Sequence, residues 1–250
     1  MPGTAEIQVD ITDKGVAVLT LNQPERFNAF TTKMYQDFPN ILAELGKNDD
    51  VKVVVITGEG KAFCSGSDVE ERLLNREKIL SQQTRSDITQ RLGAFAIDVY
   101  EFTKPIICAL NGVTAGSGLS ISLLSDFRFA SENTLISGGW IKIGLVPDLA
   151  ASYTLTQLLG KEKALELLLT GDQVNAHDAK LMGLVSRVYS PEELIPETMA
   201  FANKLAKMPA IAVEMTKRAT VESLNNTIAD QLNFESYGQA VCMASEDHKE

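Results

Sequence analysis

Residues 106–126, IICALNGVTAGSGLSISLLSD, constrain the fold more than any other part of the chain. The first five, Ile106–Leu110, are an unbroken apolar run of strand length, which predicts a buried strand. Asn111-Gly112 breaks that strand, and Gly116 and Gly118 permit a tight second turn. From Ser117 onward, Leu119, Ile121, Leu123 and Leu124 point to a mostly apolar and hence buried helix. A strand thus runs through a glycine-rich turn into a helix N-terminus. The first N–H groups of a helix have no intrahelical partner, and the dipole there favours negative charge. Such a turn can receive an anion, or an oxygen that becomes anionic during a reaction. The same glycines can also serve only to pack a helix tightly on a strand, and the motif by itself does not separate the two.

With 250 residues, 44% hydrophobic and 22% charged, the chain can bury one large core or a core with a small appendage. A net charge of −10 and the lack of a basic run argue against a nucleic-acid partner. Cys64, Cys108 and Cys242 are widely spaced, with neither a CxxC pair nor Cys/His zinc spacing, so no metal is expected. Free thiols of this kind suit a reducing compartment. Neither a signal peptide, an Arg-rich transit segment nor a bilayer-length apolar run is visible, and the last residues are not a peroxisomal address. The expectation is a cytoplasmic protein without a membrane partner.

Residues 6–12 and 15–21 alternate apolar and polar around Asp13-Lys14-Gly15, a hairpin pattern. After the loop of residues 22–30, Thr31 or Thr32 should cap a helix to about residue 45, with Pro39 as a kink. Residues 51–57, VKVVVIT, read as a strand apolar on both faces, as in a parallel sheet covered on both sides. Gly58-Glu59-Gly60-Lys61 then leads to Phe63-Cys64-Ser65-Gly66-Ser67-Asp68, repeating the order buried strand, glycine turn, helix start. Residues 69–85 are polar and weakly periodic, a mobile helix or loop; a helix follows to about Thr103 and ends at Lys104-Pro105. Short strands are expected at 127–130 and 135–137, a loop at 140–146, and a helix over 149–159 preceded by Pro147-Asp148. Helices at 162–169 and 176–182 and a strand at 184–189 come next. Beyond Pro191 the pattern is helical throughout, over 191–207, 210–224 and 228–245. The change near residue 190 divides an α/β core, 1–190, from a helical part, 191–250.

Several site motifs fail on spacing. TGEGKA, residues 57–62, lacks the P-loop spacing and its Ser or Thr. Residues 112–118 are not a dinucleotide GxGxxG, and Ser117 is not in a GxSxG elbow. His177 and His248 are the two histidines, and His177 sits at a helix start where a surface or capping role is expected, so a Ser-His-Asp triad is poorly supported.

What remains is a pair of strand-turn-helix units offering backbone donors, with an acid nearby. Phe63-Cys64-Ser65-Gly66-Ser67-Asp68, Asn111-Gly112-Val113 with Gly116-Ser117-Gly118, Ile143-Gly144-Leu145-Val146-Pro147-Asp148 and Gly183-Leu184-Val185 together resemble the crotonase superfamily, the enoyl-CoA hydratase/isomerase family. Pro24-Glu25-Arg26-Phe27-Asn28-Ala29 looks like its N-terminal signature, so the resemblance spans essentially the whole chain. It implies a ClpP-like spiral of repeated ββα units, with C-terminal helices that build a homotrimer or a hexamer from a dimer of trimers. It implies an acyl-CoA thioester as substrate, with coenzyme A as part of that substrate and no separate cofactor. The thioester oxygen would be held by the backbone N–H groups of Ser67 and Ser117, where fixed donors stabilise an enolate. Arg26, Ala29, Ser65, Gly66, Asp68, Gly116, Gly118 and Trp140 would surround the substrate, with Arg26 near the CoA phosphates.

The departures from the family pattern are specific. A family hydratase uses two glutamates, and the matching positions are Ser120 and Trp140, neither of which is a carboxylate. The resemblance therefore implies a poor water-adding enzyme. Asp148 matches the acidic position of members that move double bonds. Trp140 and Asp148 also look like the chlorobenzoyl-CoA dehalogenase branch, in which the Asp is a nucleophile, but that branch places a His in the helix before the central strand and residues 91–103 have none. A non-catalytic acyl-CoA-binding or scaffold module is the other class of reading. By residue type alone Asp148, after Pro147, reads as a helix N-cap. Asp68 reads likewise as a cap, Arg26 as a solvated loop charge, Cys64 as a small buried group and Trp140 as a core or pocket-wall residue. As a catalytic base Asp148 is expected among apolar neighbours, Trp140, Leu145, Val146 and Leu149, which would raise its pKa. Ile211, Met215, Leu224, Ile228, Leu232 and Phe234 are more apolar surface than a helical tail buries alone.

Overall fold

In a computed structural model, which describes residues 3–68, 70–71 and 85–248 (without the side chains of 85–91), the apolar runs become parallel strands. The segment expected to be a mobile helix or loop, 69–85, lies almost wholly outside the described residues.

The hairpin forms as β1 (Ile7–Ile11) and β2 (Val16–Leu21), paired antiparallel with Ile7 opposite Leu21. Thereafter strands alternate between two sheets. β3 (Val53–Gly58), β5 (Ile106–Leu110) and β7 (Phe127–Ser131) join the hairpin, and β10 (Arg187–Tyr189) closes a six-stranded sheet of order β1-β2-β3-β5-β7-β10. β4 (Ala62–Cys64), β6 (Val113–Ala115), β8 (Leu135–Ser137) and β9 (Gln173–Asn175) make a smaller sheet in that order. Each pass from β3 to β4, β5 to β6 and β7 to β8 is one turn of a repeated ββα spiral, as the resemblance implies. Every residue of β3 and of β5 is buried, because helices cover both faces of the large sheet. β6 and β9 are additions to the sequence reading. Each is three residues long, too short for an alternation pattern to be visible.

α1 (Thr32–Lys47) begins where expected: the Thr31 hydroxyl accepts the Met34 N–H, and Pro39 lies within the helix. Its buried face, Met34, Phe38, Ile41, Leu42 and Leu45, packs in the main core with α2 (Arg85–Tyr100) and α3 (Ser117–Leu124). α3 is buried at all eight positions. On the smaller-sheet side lie α4 (Ala151–Leu159), α5 (Lys161–Thr170) and α6 (Ala176–Met182). α7 (Pro191–Ala206) covers the other face of the large sheet, where Leu194 and Ala202 join Val16, Val53, Val55, Ile107, Ala109 and Phe129 in a second core. The change of element type near residue 190 therefore falls inside one packing unit. α8 (Ala210–Glu222) and α9 (Ile228–Met243) pack on each other beyond it.

Three expectations from the sequence are corrected. The helix placed at 149 starts at Ala151, because Leu149 (φ 47°) and Ala150 (φ 62°) are both left-handed and turn the chain first. The loop over 140–146 contains a 3-10 turn, Trp140–Ile143. The strand expected from residue 184 begins only at Arg187, after the buried turn at Leu184 and Val185.

The glycines of the central stretch divide between the two roles set out above. A Cβ on Gly112 would lie 2.0 Å from the Lys61 carbonyl oxygen, and one on Gly118 2.3 Å from that of Cys64. These two let the turn and α3 press against β4. Gly116 (φ 50°) and Gly66 (φ 115°) instead adopt backbone conformations that side chains resist. Gly118→Ala should cost at least about 2 kcal/mol in denaturant unfolding, since backbone must move to admit the methyl group. Gly93→Ala in α2, where a Cβ meets nothing within 4 Å, should be neutral or stabilising by about 0.5–1 kcal/mol.

Candidate active site

The site is built where three loops are fastened together by backbone and amide bonds. The loop before α1 runs alongside residues 65–68: Phe27 O accepts from Ser65 N, Phe30 N donates to Gly66 O at 2.7 Å, and Phe30 O accepts from Asp68 N at 2.9 Å. Asn28, fully buried and left-handed, anchors that loop. Its Oδ1 accepts the Gln23 N–H, and its Nδ2 donates to the Glu59 and Ala62 carbonyls. Asn111 does the same for the central turn, accepting from Gly58 N and donating to Gly60 O and Ala62 O. The asparagines of the two sequence motifs thus converge on one β3–β4 connection.

This fastening brings the two glycine turns into contact. A Cβ on Gly116 would sit 3.5 Å from the Gly66 Cα, and one on Gly66 would sit 3.8 Å from the Ser117 amide nitrogen. The backbones of Gly66-Ser67 and Gly116-Ser117 therefore meet with no side chain between them. Among the described residues neither the Ser67 nor the Ser117 N–H donates to a protein acceptor. Ser117 opens α3, so its N–H is one of the orphan donors of a helix N-terminus.

The hydroxyls of these two serines also meet. Ser67 Oγ and Ser117 Oγ are 2.8 Å apart, and the Tyr35 phenol lies 2.8 Å from the first and 2.7 Å from the second, donating to Ser117. Tyr35 comes from α1 and rests edge-on against Phe30 and Phe95. Sequence reading passed over Tyr35, because a tyrosine beside an apolar helix face looks like core. The remaining signal was two serines at turn positions where a small residue suffices.

Asp148 is half-buried and reaches back over α3. Its Oδ1 receives the Trp140 indole N–H at 3.2 Å and lies 3.3 Å from the Ser120 hydroxyl, whose single proton it shares with the Asp148 carbonyl at 3.1 Å. The capping expectation is corrected here: α4 is preceded by Ala150, and it is the Asp148 backbone carbonyl, not its side chain, that accepts the Ala151 N–H. The apolar box expected around Asp148 is also corrected. Leu149 and Trp140 are buried, but Leu145 and Val146 are exposed, and Trp140 and Ser120 present polar donors to the carboxylate. Ser120 lies one turn of α3 beyond Ser117 on the same side, about 5 Å along the axis.

Arg26 and Asp68 form an ion pair at 2.7 Å, with Arg26 51% and Asp68 6% exposed. Asp68 also accepts the Glu71 N–H, as a cap would, and this bond, with the Arg26 guanidinium, holds its pKa below the usual carboxylate value against the opposing effect of burial. Ala29 is buried behind Arg26, and Ser65 donates weakly to the Arg26 carbonyl at 3.4 Å. Cys64 and Cys108 are buried, and loss of solvation pushes both thiols up to about 12, so neither is a nucleophile. His177 is exposed on α6, whose cap is Asn175. Among the described residues no group of three or more His, Cys, Asp or Glu could hold a metal ion, and no helix is long and apolar enough to cross a membrane.

Two facing turns whose amides have no protein acceptor among the described residues, with an acid adjoining them, are carried on a ββα spiral. Residues 12–250 match the family model described as enoyl-CoA hydratase/isomerase. The 1,2-epoxyphenylacetyl-CoA isomerase of Escherichia coli (strain K12) is 30% identical over 238 residues, covering 95% of this chain and 90% of that protein. The crotonyl-CoA hydratase of Syntrophomonas wolfei is 28% identical over 243 residues, 95% of this chain and 90% of that one. The crystal structure of enoyl-CoA hydratase from Bacillus anthracis superposes with a TM-score of 0.89 at 27% identity, covering 98% of this chain and 93% of that one. The chain belongs to the enoyl-CoA hydratase/isomerase family and has the crotonase fold.

Because Asp68 is depressed in the folded state, its stabilising contribution is complete above the unfolded pKa, near 3.8, and is lost as pH falls through the lower folded value. Asp68→Asn should therefore destabilise the protein at neutral pH and make the loss of stability below about pH 4 shallower, as followed by chemical denaturation at stepped pH.

Proposed function

We propose that this protein is an acyl-CoA-processing enzyme that shifts a double bond, with Asp148 as its single acid–base group. One observation carries the reading: the two positions where the resemblance puts the hydratase glutamates, Ser120 and Trp140, both hydrogen-bond to Asp148 Oδ1. The residues that replaced two carboxylates now orient a third.

The thioester oxygen of a 3-enoyl-CoA accepts from the Ser67 and Ser117 N–H groups. Asp148 takes a proton from C2, and the electron pair delocalises through the C3–C4 double bond as a dienolate whose charge rests on that oxygen. Asp148 then returns the proton to C4, giving the 2-enoyl-CoA. No water or redox partner enters, and the carboxylate ends as it began. Each amide donor to such an oxygen is worth on the order of a hundred- to a thousandfold in rate. A double-bond shift needs one group that gives back what it takes, and the site offers that group. The isomerase name of one relative is in keeping with this, while the hydratase name of another is met by the loss of both glutamate positions. The side chain of Asp148 leaves the helix uncapped, which weighs against the scaffold reading.

Asp148→Asn keeps the size of the side chain and an acceptor for Trp140 and Ser120. It should fold and bind acyl-CoA while 3-enoyl-CoA isomerisation falls by about a hundredfold or more. Isomerisation at the wild-type rate would show that Asp148 is not the base. Efficient hydration of 2-enoyl-CoA by the wild type would sink the isomerase reading.

We also propose a homotrimer, or a hexamer of two such rings. Ile211 on α8, Leu224 in the turn after it, and Ile228 and Leu232 on α9 are exposed, and an apolar groove is lined by Pro105, Phe127, Leu205, Met208, Val213 and Val221. Sedimentation at micromolar concentration should give at least three times the chain mass of 27.2 kDa, and a monomer there refutes the assignment.

A further inference from the structure

The mechanism above uses the amides of Ser67 and Ser117 and leaves their hydroxyls without a task. Those hydroxyls and the Tyr35 phenol form a closed triangle with sides of 2.7, 2.8 and 2.8 Å. Three hydroxyls carry three protons, and a ring of three bonds uses each proton once. With Tyr35 donating to Ser117, the ring closes as Tyr35 to Ser117, Ser117 to Ser67 and Ser67 to Tyr35. Each serine Oγ shares a Cα with an amide assigned to the thioester oxygen. Ser117 is 1% exposed, whereas Ser67 is only half-buried, so of the two serines beside the amides Ser67 is the one able to face a ligand.

We propose that this hydroxyl ring is a switchable third donor to the enolate oxygen, with Ser67 Oγ as the donating atom and Tyr35 as a positioning residue. The inference rests on the reading that the thioester oxygen sits at the Ser67 and Ser117 amides. As charge builds on that oxygen, the Ser67 O–H turns from Tyr35 to the substrate. The ring opens into a chain, Tyr35 to Ser117 to Ser67 to the substrate oxygen. No covalent bond is made or broken. The change leaves one Tyr35 lone pair without its serine donor, and aligned O–H dipoles strengthen one another along the chain. In the empty site the ring keeps all three protons satisfied. The third donor is therefore presented when an anionic oxygen competes for it, which favours the enolate over the neutral thioester. Tyr35 is held for this by edge contacts with Phe30 at 5.1 Å and Phe95 at 5.5 Å between ring centroids, so Tyr35→Phe can keep the packing while removing the O–H.

The test is difference infrared spectroscopy of a bound saturated acyl-CoA carrying a ¹³C=O thioester, together with kcat and KM for isomerisation, in four proteins: wild type, Ser67→Ala, Tyr35→Phe and the double variant. In the wild type the carbonyl band should move to lower wavenumber on binding. Ser67→Ala should leave that band where the wild type puts it, because the ring stays closed beside a neutral thioester, yet lower kcat about tenfold, with KM changed less than about twofold. Tyr35→Phe should lower kcat in the same way and more weakly, again without moving the band. The double variant should match Ser67→Ala, since Tyr35 acts only through Ser67. No band shift in the wild type would remove the thioester from the two amides and overturn the reading beneath this one. A wild-type shift with a Ser67→Ala kcat equal to the wild type's, a bound-carbonyl band displaced by Ser67→Ala, or a double variant whose losses in kcat add, would overturn the hydroxyl proposal alone.

Discussion

The contact on which the site depends is between two stretches of backbone, Gly66-Ser67 and Gly116-Ser117. They meet at van der Waals distance with no side chain between them, and both glycines have a positive φ that side chains resist. An amide pair made in this way is stiff, because each amide is fixed by its own strand and turn and owes nothing to a rotamer. Preorganised donors need no rearrangement when charge appears, which is what makes them effective in a site sheltered from water. The rest of the architecture can be understood as keeping these two turns in contact. β4 and β6 lie side by side in the smaller sheet, Gly112 and Gly118 let that sheet and α3 close up, and Asn28 and Asn111 bind the flanking loops to the same connection.

The acid is held by a different kind of constraint. Leu149 and Ala150 are both left-handed without being glycine, at a cost of roughly 1–2 kcal/mol for each residue. That double turn delays the start of α4 and directs Asp148 over α3 toward Ser120 rather than along its own helix axis. Strain of this sort survives only where the surroundings over-determine it. Here Trp140 is buried at the end of the smaller sheet, and Ser120 is buried in α3. Both are rigid before they meet the carboxylate.

Charge within the core supports the same strand that leads to the site. Lys217 of α8 reaches Asp126 at 2.8 Å and the Lys104 carbonyl at 2.9 Å, and Asp126 in turn accepts the Ile106 N–H at the start of β5. Burial pushes Lys217 down and Asp126 opposes it. Arg128, also pushed down by burial, spends its donors on the carbonyls of Leu184, Ser122 and Ser125, so it ties the C-terminal end of α3 to the turn before β10. These pairs are fully committed to structure. The C-terminal helices are thereby linked to β5, although their outer faces stay apolar and exposed.

Much of this was legible in the chain. The apolar runs at residues 53–58 and 106–110 could be nothing but covered strands, and the glycine turns after them announced a backbone site. The order of motifs was enough to place the family. Three things could not be read there. One was the division of labour among glycines, because a close approach by Lys61 or Cys64 involves residues about fifty positions away. Another was the helix start after Asp148, since Leu149 and Ala150 carry no left-handed signature and made the acid look like a cap. The last was the meeting of Tyr35 with Ser67 and Ser117, three residues from three separate elements. Local pattern determined which segments were strands, turns and helices, because propensity and apolar periodicity act over a few residues. Only the tertiary structure decided what faces the paired amides and what holds Asp148, because those contacts form when distant segments are pressed together by the burial of the core between them.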